Sequence, residues 1–340
     1  MARSKRTRGN PKLEPSVMTM AFILPTGAPA VSVIDVSQSA CLMNRRFYRQ
    51  GLNWGIAGFR LITPGGVTGS ASITKLPNTW TMSNSWHKTF ATWNRMNNEA
   101  LEETESIRPR FLDFKIFADS SHHTAGIAGN LLPMSGAGVI ATAGEWESSK
   151  IVIPDTTLGA TGGVQEREFI AVGANYPGAG ASGLNAVSLI EGYAASRLLP
   201  NVLDPNTPDD AGDADGVSPE NWMAATFNEG TQQDDNILDT MITENAIAPY
   251  PFENDGVNPD TMYPGGANQL SGLEFHDSAF VTGTTIGGIT SIRGTNFPCG
   301  LITIGHNITA PAPGEGAVIL EVLLIPGTHR GYLAEPMQDM

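Results

Sequence analysis

Short apolar-rich runs broken by Gly, Pro, Asn and Asp recur along most of this chain. They predict strands at Val31–Val36, Gly55–Ile62, Arg110–Ala118, Glu145–Ile153, Glu166–Val172, Phe275–Thr282, Leu301–Ile304 and Ala317–Ile325. From Phe111 to Phe117 the pattern alternates, with Leu112, Phe114 and Ile116 on one face and Asp113 and Lys115 on the other. A half-buried antiparallel strand reads this way. The run Val318–Ile325 is almost wholly apolar, which predicts cover on both faces.

Three stretches carry a helical period instead. Trp86, Phe90, Trp93, Met96 and Ala100 recur every three or four residues and predict an amphipathic helix over Asn84–Glu103. Val187, Ile190, Ala194 and Leu198 repeat the spacing up to Pro200, and Asp234–Asn245 is a weaker third segment. Residues 204–272 are acidic and rich in Asn, Pro and Gly, a long-loop insertion. Many short strands with few helices predict an all-β fold, a β-sandwich or barrel with helical and long-loop insertions.

Composition sharpens this. Gly (38) and Pro (23) make up about 18% of the 340 residues, against roughly 12% on average, which suits frequent turns. Charge is divided unevenly. Arg3, Lys5, Arg6, Arg8 and Lys12 give the first twelve residues +5, so the net −14 of the chain leaves −19 on the remainder. Between Ala2 and Lys12 there is no apolar side chain larger than alanine apart from the Pro11 ring, so little offsets the entropy of ordering. Residues 1–16 therefore read as an unfolded basic arm on one acidic domain, 17–340, and the arm's cations suit a phosphate backbone. The same basic run, followed by apolar Val17–Leu24 and Ala28-Pro29-Ala30, also has the outline of a secretory leader. Against that, the apolar stretch is short, holds Thr19 and follows Pro11, Glu14 and Pro15. No stretch approaches the roughly 20 apolar residues that span a bilayer as a helix.

Candidate chemistry is sparse. Gly178-Ala-Gly180-Ala-Ser-Gly183 matches a dinucleotide fingerprint, but five residues part it from the preceding strand and no βαβ alternation surrounds it. Asp209, Asp210, Asp213 and Asp215 offer the oxygens of a calcium site, for which a cation shared at a subunit interface is one reading. Ala211 breaks the register of such a loop, and a solvated acidic loop is the other reading. Cys41 and Cys299 supply neither a disulfide framework nor a zinc knuckle. His87, His122, His123, His276, His306 and His329 form no metalloprotease pair, and a turn after Ala118 accounts for the adjacent His122-His123. No nucleophile elbow or phosphate-binding loop is present, so the expectation is no catalysis. Arg45-Arg46-Phe47-Tyr48-Arg49 mixes cations with aromatics, as nucleic-acid grooves do. Internal ion pairs bracing the acidic body are the competing reading.

Asn44-Arg-Arg-Phe-Tyr-Arg-Gln-Gly-Leu-Asn-Trp54, Lys75-Leu-Pro-Asn-Thr-Trp-Thr-Met-Ser-Asn-Ser-Trp86, Ser188–Arg197, Tyr263–Gln269 and His329–Tyr332 resemble capsid proteins of small circular Rep-encoding single-stranded DNA (CRESS-DNA) viruses. The resemblance implies a viral jelly roll, a basic arm facing the packaged DNA, and self-assembly into an icosahedral virion shell. Such a shell holds roughly 60 or more copies, the order of the icosahedral rotation group. No cofactor is implied beyond the candidate divalent cation, and no membrane. The arm is shorter and less basic than the Arg-rich arms usual in that family, so Arg45, Arg46 and Arg49 would have to share the work. The rival expectation is a secreted or surface β-sandwich, an adhesin or glycan-binding protein with its N-terminus cleaved near Ala30.

Overall fold

A computed structural model describes residues 15–102, 106, 112–136, 138–155, 165–174, 186–190, 272–283, 288–309 and 317–340. Eight strands carry the body. In chain order they are β1 (Thr19–Leu24), β2 (Ala30–Asp35), β3 (Leu52–Ile62), β4 (Thr68–Lys75), β5 (Glu274–Val281), β6 (Ile289–Arg293), β7 (Leu301–Thr309) and β8 (Val318–Leu324). They form two antiparallel sheets ordered β1-β8-β3-β6 and β5-β4-β7-β2. Short strands Asn296–Phe297 and Ala334–Pro336 also pair with the first half of β3.

One core joins the sheets: Phe22, Phe59, Leu61 and Leu320 from the first face Ile34, Ile73, Ile302 and Ile304 from the second. The fold is thus a β-sandwich, with side chains alternating into the shared interior. Each such side chain, fully withdrawn from water, contributes up to ~1.5–3 kcal/mol. β8 corrects the expectation of double cover. Val318, Leu320, Val322 and Leu324 face inward, whereas Ile319, Glu321 and Leu323 are half-exposed on the sheet's outer side. There Glu321 pairs with Arg60 of neighbouring β3 at 3.1 Å.

Because neighbouring strands run opposite ways, the connections fall at two ends. At one lie 25–29, 63–67, 282–288 and 310–317, all short. The other end takes the chain's approach to β1, residues 36–51, the 76–273 insertion, 294–300 and the C-terminal segment.

That insertion builds a second core. Helix α2 (Trp80–Glu102) begins four residues before the expected start, because the Thr79 hydroxyl accepts the Met82 N–H and caps it. Its stripe behaves as the spacing predicts: Trp86 and Trp93 are buried, with Phe90 and Met96 packed alongside. They meet Phe114, Ile116, Phe169 and Val187, together with Val33 and Leu301 from the sandwich. A three-stranded sheet, Lys150–Asp155, Gln165–Val172 and Ala186–Ser188, lies here. Its last pair is parallel, and Val187, expected on a helix, is in that strand.

Of the expected strand Arg110–Ala118 the described residues, 112–118, join no ladder beyond an isolated bridge from Phe117 to Val172. Its alternation is as expected, since Phe114 and Ile116 are buried while Asp113 and Lys115 are only partly so. Phe117 and Ala118 bond to the main chain of 171–174, and before them side chains do much of a ladder's work. The Gln50 amide accepts from Ile116 N–H at 2.7 Å and donates to Ile116 C=O at 3.1 Å, as a neighbouring strand would. Ser149 serves Lys115 N–H in the same way at 2.9 Å. Periodicity reports which face is buried, not what satisfies the backbone.

Candidate nucleic-acid interface

The connection from β2 to β3 presents the basic cluster. Helix α1 (Val36–Asn44) starts at Asp35, whose Oδ1 accepts the N–H groups of Ser37 (2.8 Å) and Gln38 (3.1 Å). The same carboxylate accepts from the Ser37 hydroxyl, from Gln50 Nε2 at 3.2 Å and from the Trp146 indole at 2.7 Å. Asp35 is fully buried, so this ring of five donors is what offsets its desolvation. It fixes both ends of the connection at once.

Helix α1 ends on Arg45, which adopts left-handed backbone (φ 55°) and donates its N–H to Cys41 C=O at 2.9 Å. Glycine or asparagine is usual there, and an arginine costs about 1 kcal/mol. Arg330, far along the sequence, is also left-handed (φ 49°). It packs beside the cluster, its guanidinium donating to Phe47 C=O while its own C=O accepts from Tyr48 Oη at 3.2 Å. Below them Tyr48, Trp54 and Tyr332 form a buried aromatic base, with ring centroids 5.5–6.0 Å apart.

The approach to β1 is held at the same place. Ser16 Oγ donates to Arg330 C=O at 2.9 Å, Arg46 Nη1 to Pro15 C=O at 3.1 Å, and Val17 N–H to Asn44 Oδ1 at 3.0 Å. Tyr332 Oη closes the clamp on Val17 C=O at 2.8 Å. Residues 1–14, with Arg3, Lys5, Arg6, Arg8 and Lys12, lie outside the described residues, but they join the body here.

Arg45, Arg46 and Arg49 are therefore brought together with Arg330 and Lys115, which local sequence did not single out. Both readings of this cluster have footing: Arg45 and Arg49 are exposed, as phosphate contacts need, while Arg49 and Lys115 act electrostatically on the Asp113 carboxyl, as bracing would. Among the described residues Arg45 and Arg49 have no carboxylate within salt-bridge distance, and Arg46 and Arg330 each donate to a main-chain carbonyl. Two hollows open beside them, of about 350 and 470 Å³. Asp113 lies on the wall of both. Its Oδ1 accepts Gln50 N–H at 3.0 Å, its Oδ2 has no hydrogen-bond partner among the described residues, and burial pushes its carboxyl up to about 7.

The other candidates separate from this site. His122 and His123 are buried on a short helix, α3 (Ser120–Ala125), capped by Asp119. His122 Nδ1 accepts from Ala118 N–H at 3.0 Å, so Nε2 holds the proton and donates to Asn130 Oδ1 at 2.6 Å. Burial holds its pKa below the ordinary value. With both nitrogens engaged, it is not positioned as a base for Ser120 or Ser121. Cys41 and Cys299 are both free thiols.

Gly178–Gly183, Asp209, Asp210, Asp213, Asp215 and Asp234–Asn245 lie outside the described residues. Among the described residues no group of three His, Cys, Asp or Glu is arranged to hold a metal, and no helix is long and apolar enough to cross a membrane. No protein-family model matches the chain, and neither a curated protein nor a solved structure is significantly similar to it.

Proposed function

We propose that this chain is the structural subunit of a closed shell around single-stranded nucleic acid, a capsid protein without catalytic activity. The observation that carries the reading is convergence: the root of the basic arm and the Arg45, Arg46, Arg49 and Arg330 cluster share one end of an otherwise acidic body. Phosphate is the ligand that both features suit, through counterion release.

Strand order supports the finer architecture, a jelly roll. Strands pair in nested fashion, β1 with β8, β2 with β7, β3 with β6 and β4 with β5. Successive strands change sheet at every step except β4 to β5. A long hairpin folded twice on itself generates this nesting, and it recurs in viral shells. The rival surface protein, cleaved near Ala30, fits less well: the cut would strip β1, with core residues Met20, Phe22 and Leu24, from the edge of β8.

Negative-stain microscopy of purified protein tests the reading. Uniform closed particles with absorbance from nucleic acid are expected, and a monodisperse monomer free of nucleic acid would reject it. Deleting residues 1–12 should leave particles that form but hold less nucleic acid. Particles loosened by EDTA would support a shared cation at Asp209–Asp215, and unchanged particles would remove it.

A further inference from the structure

Phe47 stands between two hollows equipped alike. On one side lie Arg45, Arg46 and Lys115 with the ring of Trp146. On the other lie Arg49, His329 and Arg330 with Trp86 and Phe90. Phe47 lines both and is half-buried. We propose, resting on the reading above, that the two hollows hold successive nucleotides of one strand, phosphates against the arginines and bases against the half-exposed rings of Phe47 and Phe90, with buried Trp146 and Trp86 as the floors.

The parts suit unpaired bases. Every base has a flat face that stacks on an aromatic ring, and arginines track the backbone whatever the sequence. In a duplex those faces are already stacked on one another, and a rigid double helix offers only phosphates to concave hollows of this size. The site is also built before binding. The Trp146 ring is fixed by its hydrogen bond to Asp35, with Lys115 Nζ 6.0 Å from the ring centroid. Trp86 and Phe90 stack at 4.9 Å and 14°. Arg45 and Arg330 leave the chain from constrained left-handed positions. Binding then orders little that is not already ordered, which lowers its entropic cost.

Fluorescence anisotropy on the full chain tests this with an oligothymidylate of about 15 nucleotides, an abasic strand of equal length and a duplex. The abasic strand keeps the charge and lacks the rings. Oligothymidylate is expected to bind about tenfold more tightly than either control. Phe47→Ala should erase that difference and leave abasic binding unchanged, while Phe47→Trp should retain it. Thermal melting of each variant checks that the fold persists. Equal affinity for oligothymidylate and the abasic strand would overturn the inference while leaving the arm and shell intact. So would a Phe47→Ala protein that still discriminates. Failure of the full chain to bind any of the three would instead defeat the parent reading.

Discussion

The two ends of the sandwich are built on opposite plans. The short connections 25–29, 63–67, 282–288 and 310–317 contain a single charged residue, Glu315, and are dominated by Gly, Pro, Ala and Thr. Their work is to turn the chain. Pro64 to Val67 does so through Gly66, whose φ of 81° suits glycine at the third position of a turn. Among the described residues the opposite end holds helices α1, α2 and α3, a second apolar core, the five-donor ring on Asp35 and the basic cluster. One end can thus stay minimal because the strand pairing is satisfied within the sheets. The other hosts polar chemistry where buried hydrogen bonds hold 36–51 against 112–118 and Trp146.

If that contrast is right, the largest loss of stability belongs to Asp35. Asp35→Ala uncaps α1 and strands the Gln50 and Trp146 donors, and should cost ~3–5 kcal/mol in urea unfolding. A loss under about 1 kcal/mol would mean that the long connection holds itself.

A smaller effect is expected at Asp113. Its carboxyl is raised to about 7, so the folded state binds the proton more tightly than the unfolded chain does. That stability is complete below the ordinary carboxylate range and is lost as pH rises towards 7. Asp35, Cys41, Arg49 and Lys115 surround it, and His329 lines the same hollow. Asp113→Asn should flatten the stability profile between about pH 4 and pH 7 and be more stable than the parent by ~1–2 kcal/mol at pH 8. Parallel profiles for the two proteins would place the titration elsewhere.

The smallest effect lies at the minimal end. A Cβ on Gly65 meets nothing within 4 Å, so Gly65→Ala should stay within ~0.5 kcal/mol. At Gly66 the same change forces alanine into left-handed backbone and should cost about 1 kcal/mol. Equal melting temperatures for the two would show that the turn is less constrained than its backbone suggests.

Legibility in the sequence followed the size of the side chains. β2, β3 and β8 announce themselves through bulky residues, and the α2 stripe through aromatics at helical spacing. β4 and β6 do not. In Thr68–Lys75 only Ala71, Ile73 and Lys75 are buried, and small polar residues fill the rest, so the strand resembles a loop until β5 and β7 flank it. β1 carries the right alternation, Met20, Phe22 and Leu24, but sits beside a basic run where it also reads as a leader. At the candidate site Arg45, Arg46 and Arg49 were visible because they are adjacent in sequence. Arg330 and Lys115 stood out only in other respects, within the His329–Tyr332 stretch and on the polar face of 111–117, since nothing near either marks it as part of a basic cluster.

By itself the sequence determined that strands dominate, that charge is split between a cationic start and an anionic body, and which face of α2 is buried. Those properties are local: they depend on period, side-chain volume and summed charge. Tertiary structure alone decided that strands nest two by two, that Gln50 and Ser149 stand in for a missing ladder, and that arginines some 280 residues apart share a surface. These depend on which segments become neighbours when the core closes, and burial is nearly indifferent to the order in which apolar residues arrive.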